Sequence, residues 1–208
     1  MAPRASVFVL FIAVISGVFL VAFAYSTWYW KTAATEQRRR LVRCERARER
    51  CEATQYSVDD VFRLALEKSK DYVPERFVRE MAEQALQHDD GLLLLALITV
   101  ESHFDPFAVS SAGAVGCGQV KPSYWDKFLR ERGIVRSKRD YRDPRKCVDI
   151  AAAVLDKLLL DTKDDLHQAL VVYQCGPSNK ACWRTAGRQY ANAVLREYGD
   201  YVYRLRRR

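Results

Sequence analysis

The sequence lacks the residue patterns that build metal centres. It has three histidines in 208 residues and no Cys-x-x-Cys pair, whereas structural zinc sites combine closely spaced cysteines and histidines. We therefore expect no metal site, and nothing in the residues indicates another cofactor.

Alternating apolar and polar runs of strand length are also missing, and no internal repeat is visible. A half-buried strand would show that alternation. The sequence therefore predicts a mainly α fold, with at most a short hairpin in residues 114–120. Apolar residues at helical spacing and capping signals predict helices in residues 58–66, 74–85, 92–100, 122–129, 147–160, 165–173 and 186–203. Residues 133–144 are expected to form a charged loop.

The excess of positive charge is confined to two segments. The chain carries +8, of which residues 31–50 hold +5 and the last five residues hold +4, so the remainder is close to neutral at −1. A nearly neutral body is not typical of a nucleic-acid-binding protein. Basic ends instead favour contact with anionic lipid or cell-wall polymer, or simply a solvated surface.

Residues 5–30 contain no charged side chain. An apolar run of this length matches the roughly 20 residues of a membrane-spanning helix, and Tyr25, Trp28, Tyr29 and Trp30 form an aromatic belt typical of a membrane interface. We therefore predict an uncleaved anchor. A cleaved export signal is the alternative, since Ala22-Phe23-Ala24 is a possible processing site.

The charges around this segment conflict with export of the body. Arg4 precedes the segment, whereas five basic residues follow it between residues 31 and 43. The positive-inside tendency would place the body in the cytoplasm.

The predicted organisation has four parts. Residues 1–30 form the membrane anchor or signal segment, and residues 31–72 form a basic helical stalk with the first helices. Residues 73–203 form the main domain, and residues 204–208 form a basic tail.

Six cysteines favour an oxidising compartment, although they allow 15 pairings. Cys175 and Cys182 flank a short loop that a local disulfide could close, which would leave Cys117 and Cys147 as the pair within the body. Cys44 and Cys51 are too far apart on a continuous helix to bond to each other. They could bridge two chains or bond to a neighbouring element.

Glu101 ends the most apolar segment of the body, residues 92–100. A carboxyl group at such a position is partly desolvated, which raises its pKa towards the value that a general acid needs. The alternative interpretation is a carboxylate at the solvent edge of a core helix.

The residues after Glu101 carry a more specific pattern. Residues 101–119 read Glu-Ser-x-Phe-Asp-Pro-x-Ala-Val-Ser-x-x-Gly-Ala-x-Gly-x-x-Gln, and residues 172–177 read Val-Tyr-Gln-Cys-Gly-Pro. Together, in this order, they resemble the catalytic core of the soluble lytic transglycosylase family, which has a goose-lysozyme-like fold. The resemblance covers roughly residues 73–203 and implies a lysozyme-like helical domain outside the cytoplasm, against the positive-inside tendency.

The resemblance implies a reaction on peptidoglycan with Glu101 as the single catalytic carboxyl. The acid protonates the glycosidic oxygen between N-acetylmuramic acid and N-acetylglucosamine. It then acts as base on the muramic C6 hydroxyl, which attacks C1 and leaves a 1,6-anhydro ring. Asp105, which precedes a proline, is interpreted as a turn residue.

The family pattern also marks substrate-binding positions. Ser110 and Gln119 fall at positions that bind the glycan or its peptide, and Tyr173 falls at that of a tyrosine that orients the catalytic carboxyl. Gln174 stands where the family commonly has asparagine. By themselves, Ser110 would be an ordinary turn cap and Tyr173 a core aromatic.

Three of the departures from the family pattern introduce cysteine. Cys117 lies within the segment that usually reads Gly-Leu-Met-Gln, Cys147 often corresponds to asparagine, and Cys175 usually corresponds to alanine. We expect disulfides to replace packing around the cleft.

Three functions follow from this pattern. The first is a membrane-anchored lytic transglycosylase, serving an envelope machine or phage entry or release, or a secreted one if the N-terminal segment is cleaved. The second is a goose-type hydrolase that uses water as the nucleophile. The third is a catalytically silent peptidoglycan-binding scaffold, which the joint presence of Glu101, Ser110, Gln119 and Tyr173 disfavours.

Overall fold

The structure is a computed structural model that describes residues 56–207. The predicted anchor, most of the predicted stalk with Cys44 and Cys51, and the last residue of the basic tail lie outside the described residues. Within residues 56–207, no helix has both the length and the apolar character needed to cross a bilayer.

The described part of the chain is helical, as the sequence predicts. Its α-helices are α1 (Val58–Lys68), α2 (Glu75–Ala85), α3 (Gly91–Ser102), α4 (Pro122–Glu131), α5 (Pro144–Asp161), α6 (Leu166–Cys175), α7 (Lys180–Arg184) and α8 (Ala186–Arg206), and a 3₁₀ helix spans Lys138–Arg142. Two antiparallel bridges, Val109 to Val115 and Val115 to Val120, are the only β pairing in residues 56–207.

Local signals start several of these helices where the sequence predicts. The Ser57 hydroxyl accepts a hydrogen bond from the Asp60 amide at 3.1 Å and caps α1, and Asp165 caps α6. Helix α5 is capped by Asp143 and begins at Pro144, three residues before the predicted start at residue 147. The short helix α7 and the 3₁₀ helix were not predicted, because five residues are too few to show a helical period.

Helix α3 is the centre of the core. Ten of its twelve residues are buried, since a helix that is apolar on all sides has no face for solvent. It packs most extensively against α8, and also against α1, α2 and α5. Glu101, the second-last residue of α3, is therefore positioned by the central helix of the domain.

Helix α1 belongs to the same core. Val61, Leu64 and Ala65 have no exposed surface, and α1 contacts α2, α3 and α8. The helix thus packs with the predicted main domain, although it precedes residue 73. The boundary at residue 73 stays a prediction.

Candidate active site

A cleft of about 500 Å³ opens beside the end of α3. Glu101 is the only carboxylate that lines it in the described part of the chain. The cleft also brings together Ser110, Gln119, Tyr173 and Gln174, which the sequence analysis selected, with Tyr124 and Trp125 of α4.

The surroundings of Glu101 favour the protonated acid. Burial raises the pKa of Glu101 to about 7, although a hydrogen bond from Tyr190 acts in the opposite direction. The carboxyl also lies at the carbonyl end of α3, where the helix dipole disfavours negative charge. At neutral pH the group is therefore poised between its acid and base forms.

Tyr190 of α8 is the side chain that holds Glu101. Its hydroxyl donates a hydrogen bond of 2.6 Å to Oε1 of Glu101. Burial, and then the nearby Glu101 charge, raise the pKa of Tyr190 well above its usual value, so the phenol stays protonated. Its helical spacing with Val194 and Tyr201 is that of a packing residue, so the sequence alone does not reveal this bond.

Tyr173 of α6 lies next to Tyr190. Its hydroxyl donates to the carbonyl of Gly118 at 2.7 Å, and its ring stacks on that of Tyr190, with centroids 6.5 Å apart. Residues 108–119 form one wall of the cleft. Tyr173 therefore contacts this wall through Gly118, while the direct bond to Glu101 comes from Tyr190.

The wall itself requires glycine at two positions. Gly116 has φ +81°, and a Cβ there would lie 2.0 Å from the carbonyl oxygen of Tyr141. At Gly118 a Cβ would lie 2.6 Å from that of Ala151. Between them, Cys117 forms a disulfide with Cys147 of α5, one of the two pairings that the sequence suggested.

Ser110 and Gln119 hold the same wall in place. The Ser110 hydroxyl accepts from the Ala114 amide at 3.0 Å. The side-chain nitrogen of Gln119 donates to the carbonyls of Ala108 and Gly116 at 3.1 and 2.9 Å. The Ser110 proton and the Gln119 side-chain oxygen remain for a ligand in the cleft.

Ser102, directly after Glu101, connects α3 to this wall by hydrogen bonds. Its hydroxyl donates to the Cys117 carbonyl at 2.8 Å and accepts from the Asp105 amide at 3.1 Å. The sequence analysis gave Ser102 no role, because its bond partner lies 15 positions away.

Asp105 is a turn residue, as predicted. One of its oxygens accepts from the Phe107 amide and the other from the Tyr72 hydroxyl, at 2.9 and 2.7 Å. Asp105 does not line the cleft.

Residues 176–179 form the opposite rim of the cleft, next to the exposed Gln174. The rim is closed at its base by the second disulfide that the sequence suggested, Cys175 to Cys182. Trp183 supports it, since its indole nitrogen donates to the Gly176 carbonyl at 2.8 Å.

In residues 56–207 no three His, Cys, Asp or Glu side chains gather where they could hold a metal ion.

Comparison with known proteins agrees with this geometry. No curated protein matches the chain. The family model for the transglycosylase SLT domain matches residues 78–195, a segment that contains Tyr190 and all the described residues that line the cleft. The chain thus belongs to the SLT transglycosylase family, and it is a lytic transglycosylase that acts on peptidoglycan.

Proposed function

We propose that the protein cleaves the β-1,4 bond between N-acetylmuramic acid and N-acetylglucosamine and leaves a 1,6-anhydro ring on the muramic acid. Glu101 would act first as the general acid and then as the general base. The observation that carries this proposal is a single, partly buried carboxyl, with a pKa raised to about 7, in a cleft lined by no second carboxylate of the described residues.

The acid step needs a proton on Glu101 when substrate binds. With a pKa of about 7, close to half of the molecules carry it at neutral pH. The proton passes to the glycosidic oxygen, the bond to C1 breaks, and the carboxylate left behind accepts the Tyr190 hydrogen bond.

The base step uses the same oxygen atoms. The carboxylate takes the proton of the muramic C6 hydroxyl while that oxygen attacks C1, which returns Glu101 to its acid form. Hydrolysis by glycosidases usually needs two carboxyl groups that flank the bond. Among the described residues no second carboxylate lines the cleft, which favours the intramolecular attack.

The rest of the cleft suits a sugar chain. Tyr124 and Trp125 offer aromatic faces, and their rings lie 5.2 Å apart in an edge-to-face arrangement. Ser110, Gln119 and Gln174 offer polar groups at the substrate positions that the family pattern implies. Such a mixture of apolar surface and a few polar groups is typical of ligand clefts.

We further propose that the body works outside the cytoplasm, on the wall side of a membrane anchor formed by residues 1–30. The two disulfides of the body support this location, because such bonds persist in oxidising compartments. An envelope assembly or a phage particle would be the corresponding partner.

The test is mass spectrometry of the fragments that the full chain releases from purified peptidoglycan. We expect products one water lighter than hydrolysis products, lost in Glu101→Gln and retained in Glu131→Gln, which alters an exposed carboxylate of α4. Reducing-end products would show a hydrolase of goose type. Binding without release by the unaltered protein would show a silent scaffold.

A further inference from the structure

A second pocket, of about 470 Å³, lies among α6, α7 and α8. We call it the basic pocket and define it by Lys180, Trp183, Arg184 and Arg188. We propose that it binds carboxylate groups of the peptides attached to the glycan strand in the cleft. This inference rests on the proposed function and adds a subsite to it.

The charge of the basic pocket is uncompensated. Lys180, Arg184 and Arg188 are exposed, and no carboxylate of residues 56–207 lines the pocket. Many other cations of residues 56–207 have a carboxylate partner, such as Lys68 with Glu197 and Arg145 with Glu83. None of the ion pairs in that range involves the three cations of the basic pocket.

The pocket also has a fixed apolar floor. The Trp183 ring is held by its bond to the Gly176 carbonyl, and Val171, which also lines the pocket, is 1% exposed. Helix α8 approaches closely at Gly187, where a Cβ would lie 2.8 Å from the Cys175 sulfur. An apolar floor with a cationic rim fits a short acidic peptide, whose aliphatic parts and carboxylates would each find a partner.

Neighbouring residues of the chain line the cleft and the basic pocket. Asn179 lines the cleft, and the next residue, Lys180, lines the basic pocket. Adjacent Cα atoms are about 3.8 Å apart, so a peptide branching from a strand in the cleft needs to cross only the rim of residues 176–179. This continuity favours the substrate's own peptides over a separate polyanion.

The test measures calorimetric binding to the full chain carrying Glu101→Gln, which prevents turnover. The probe is a muramyl peptide with free carboxylates, compared with the same peptide amidated at those groups. We expect the carboxylated probe to bind about tenfold more tightly or better, since one charge-assisted hydrogen bond is enough for that ratio. Adding Lys180→Gln, Arg184→Gln and Arg188→Gln should remove the preference.

A matched variant controls for net charge. Arg136→Gln, Arg139→Gln and Arg142→Gln remove the same charge from exposed positions that line neither pocket, and the preference should survive. If both triple variants lose it equally, general electrostatics explains binding and the subsite is wrong. Equal affinity of the Glu101→Gln chain for the two probes also overturns it, whatever the variants do.

Two further measurements separate the alternatives. Tighter binding of a polyphosphate or a single-stranded oligonucleotide than of the carboxylated peptide would assign the pocket to another polyanion and overturn the proposal. Release of anhydro products by the unaltered chain is scored separately. Products without a carboxylate preference would overturn the subsite alone, while a preference without products would overturn the proposed reaction alone.

Discussion

The Tyr190 hydroxyl and Oε1 of Glu101 are joined by a hydrogen bond of 2.6 Å across 89 positions of sequence. The bond connects the two helices that pack most extensively, α3 and α8. It stabilises the carboxylate form, whereas burial stabilises the acid. The pKa of Glu101 is thus a balance of two opposed effects, burial and the hydrogen bond from α8.

Removing the Tyr190 hydroxyl should therefore shift the pH profile. In Tyr190→Phe the lowering effect is lost, so the pKa of Glu101 rises above about 7. Because the general acid must be protonated, the alkaline limb of kcat/KM should move to higher pH, while the maximal rate falls about tenfold or more as the carboxyl loses its orientation. The measurement is the release of anhydro products between pH 5 and about 9.

Tyr201→Phe is the matched control. It removes a buried hydroxyl from the same helix, 3.2 Å from the Thr99 hydroxyl and not bonded to Glu101. That variant should lose some stability and keep the alkaline limb in place. Identical profiles for the unaltered protein and Tyr190→Phe would refute the balance described above.

Replacing Glu101 by glutamine should stabilise the fold at alkaline pH. The folded-state pKa of about 7 is higher than the ordinary value of 4.5, so the folded protein binds the proton more tightly than the unfolded chain does. The stability that the protonated Glu101 contributes is fully present below pH 4.5 and is lost as the pH rises through 7. The loss amounts to roughly 3 kcal/mol at most.

Since glutamine carries no charge, the stability gained in Glu101→Gln should appear over the same pH range. The two proteins should unfold at similar denaturant concentrations near pH 4.5, and Glu101→Gln should be the more stable one at pH 8. A constant difference across this range would mean that burial does not raise the pKa of Glu101.

Gly118→Ala should damage the site while the same change at Gly199 should not. The new methyl group would lie 2.6 Å from the Ala151 Cβ, which α5 fixes, and 3.2 Å from the Tyr173 hydroxyl. We expect a loss of about 1–3 kcal/mol of stability from overpacking, together with a large fall in kcat. In α8, a Cβ at Gly199 meets nothing within 4 Å, so Gly199→Ala should be neutral or stabilising by up to about 1 kcal/mol.

The two disulfides should differ in what they support. Cys117 and Cys147 are both buried and separated by 30 positions, so replacing both by alanine should cost roughly 4 kcal/mol of stability by loop entropy. The bond between Cys175 and Cys182 closes only seven positions, which corresponds to roughly 2 kcal/mol. Thermal unfolding of the two double variants gives this comparison.

The two disulfides should also differ in their effect on KM. The Cys175 to Cys182 bond closes the rim of the cleft, so its loss should raise KM at temperatures where the protein is still fully folded. An unchanged KM in that variant would show that the rim does not need the bond.

The sequence could predict what depends on neighbouring residues. The capping of α1 by Ser57, the start of α4 at Pro122 and the burial of α3 all follow from patterns within a few positions. The order of residues 101–119 also placed Glu101, Ser110 and Gln119 beside one cleft. The helical content and the family are confirmed by the structure and the comparison.

What the sequence could not predict depends on contacts between distant segments. Tyr190 has the spacing of a packing residue, and nothing around it indicates that its hydroxyl reaches Glu101. Similarly, the partner of the Tyr173 hydroxyl is a backbone carbonyl 55 positions away. Lys180 and Arg188 come together only because α7 and α8 fold against α6.

The burial of α3 on all sides has a consequence for how mutations act. The helix has no solvent face along which it could adjust, so α1, α2, α5 and α8 together fix its rotation about its own axis. A turn of only about 10° would carry a carboxyl group at the helix surface by about 1 Å, and a displacement of that size can lower a rate about a hundredfold. A methyl group removed from the far side of the core can thereby act as an active-site mutation, without contact to the sugar.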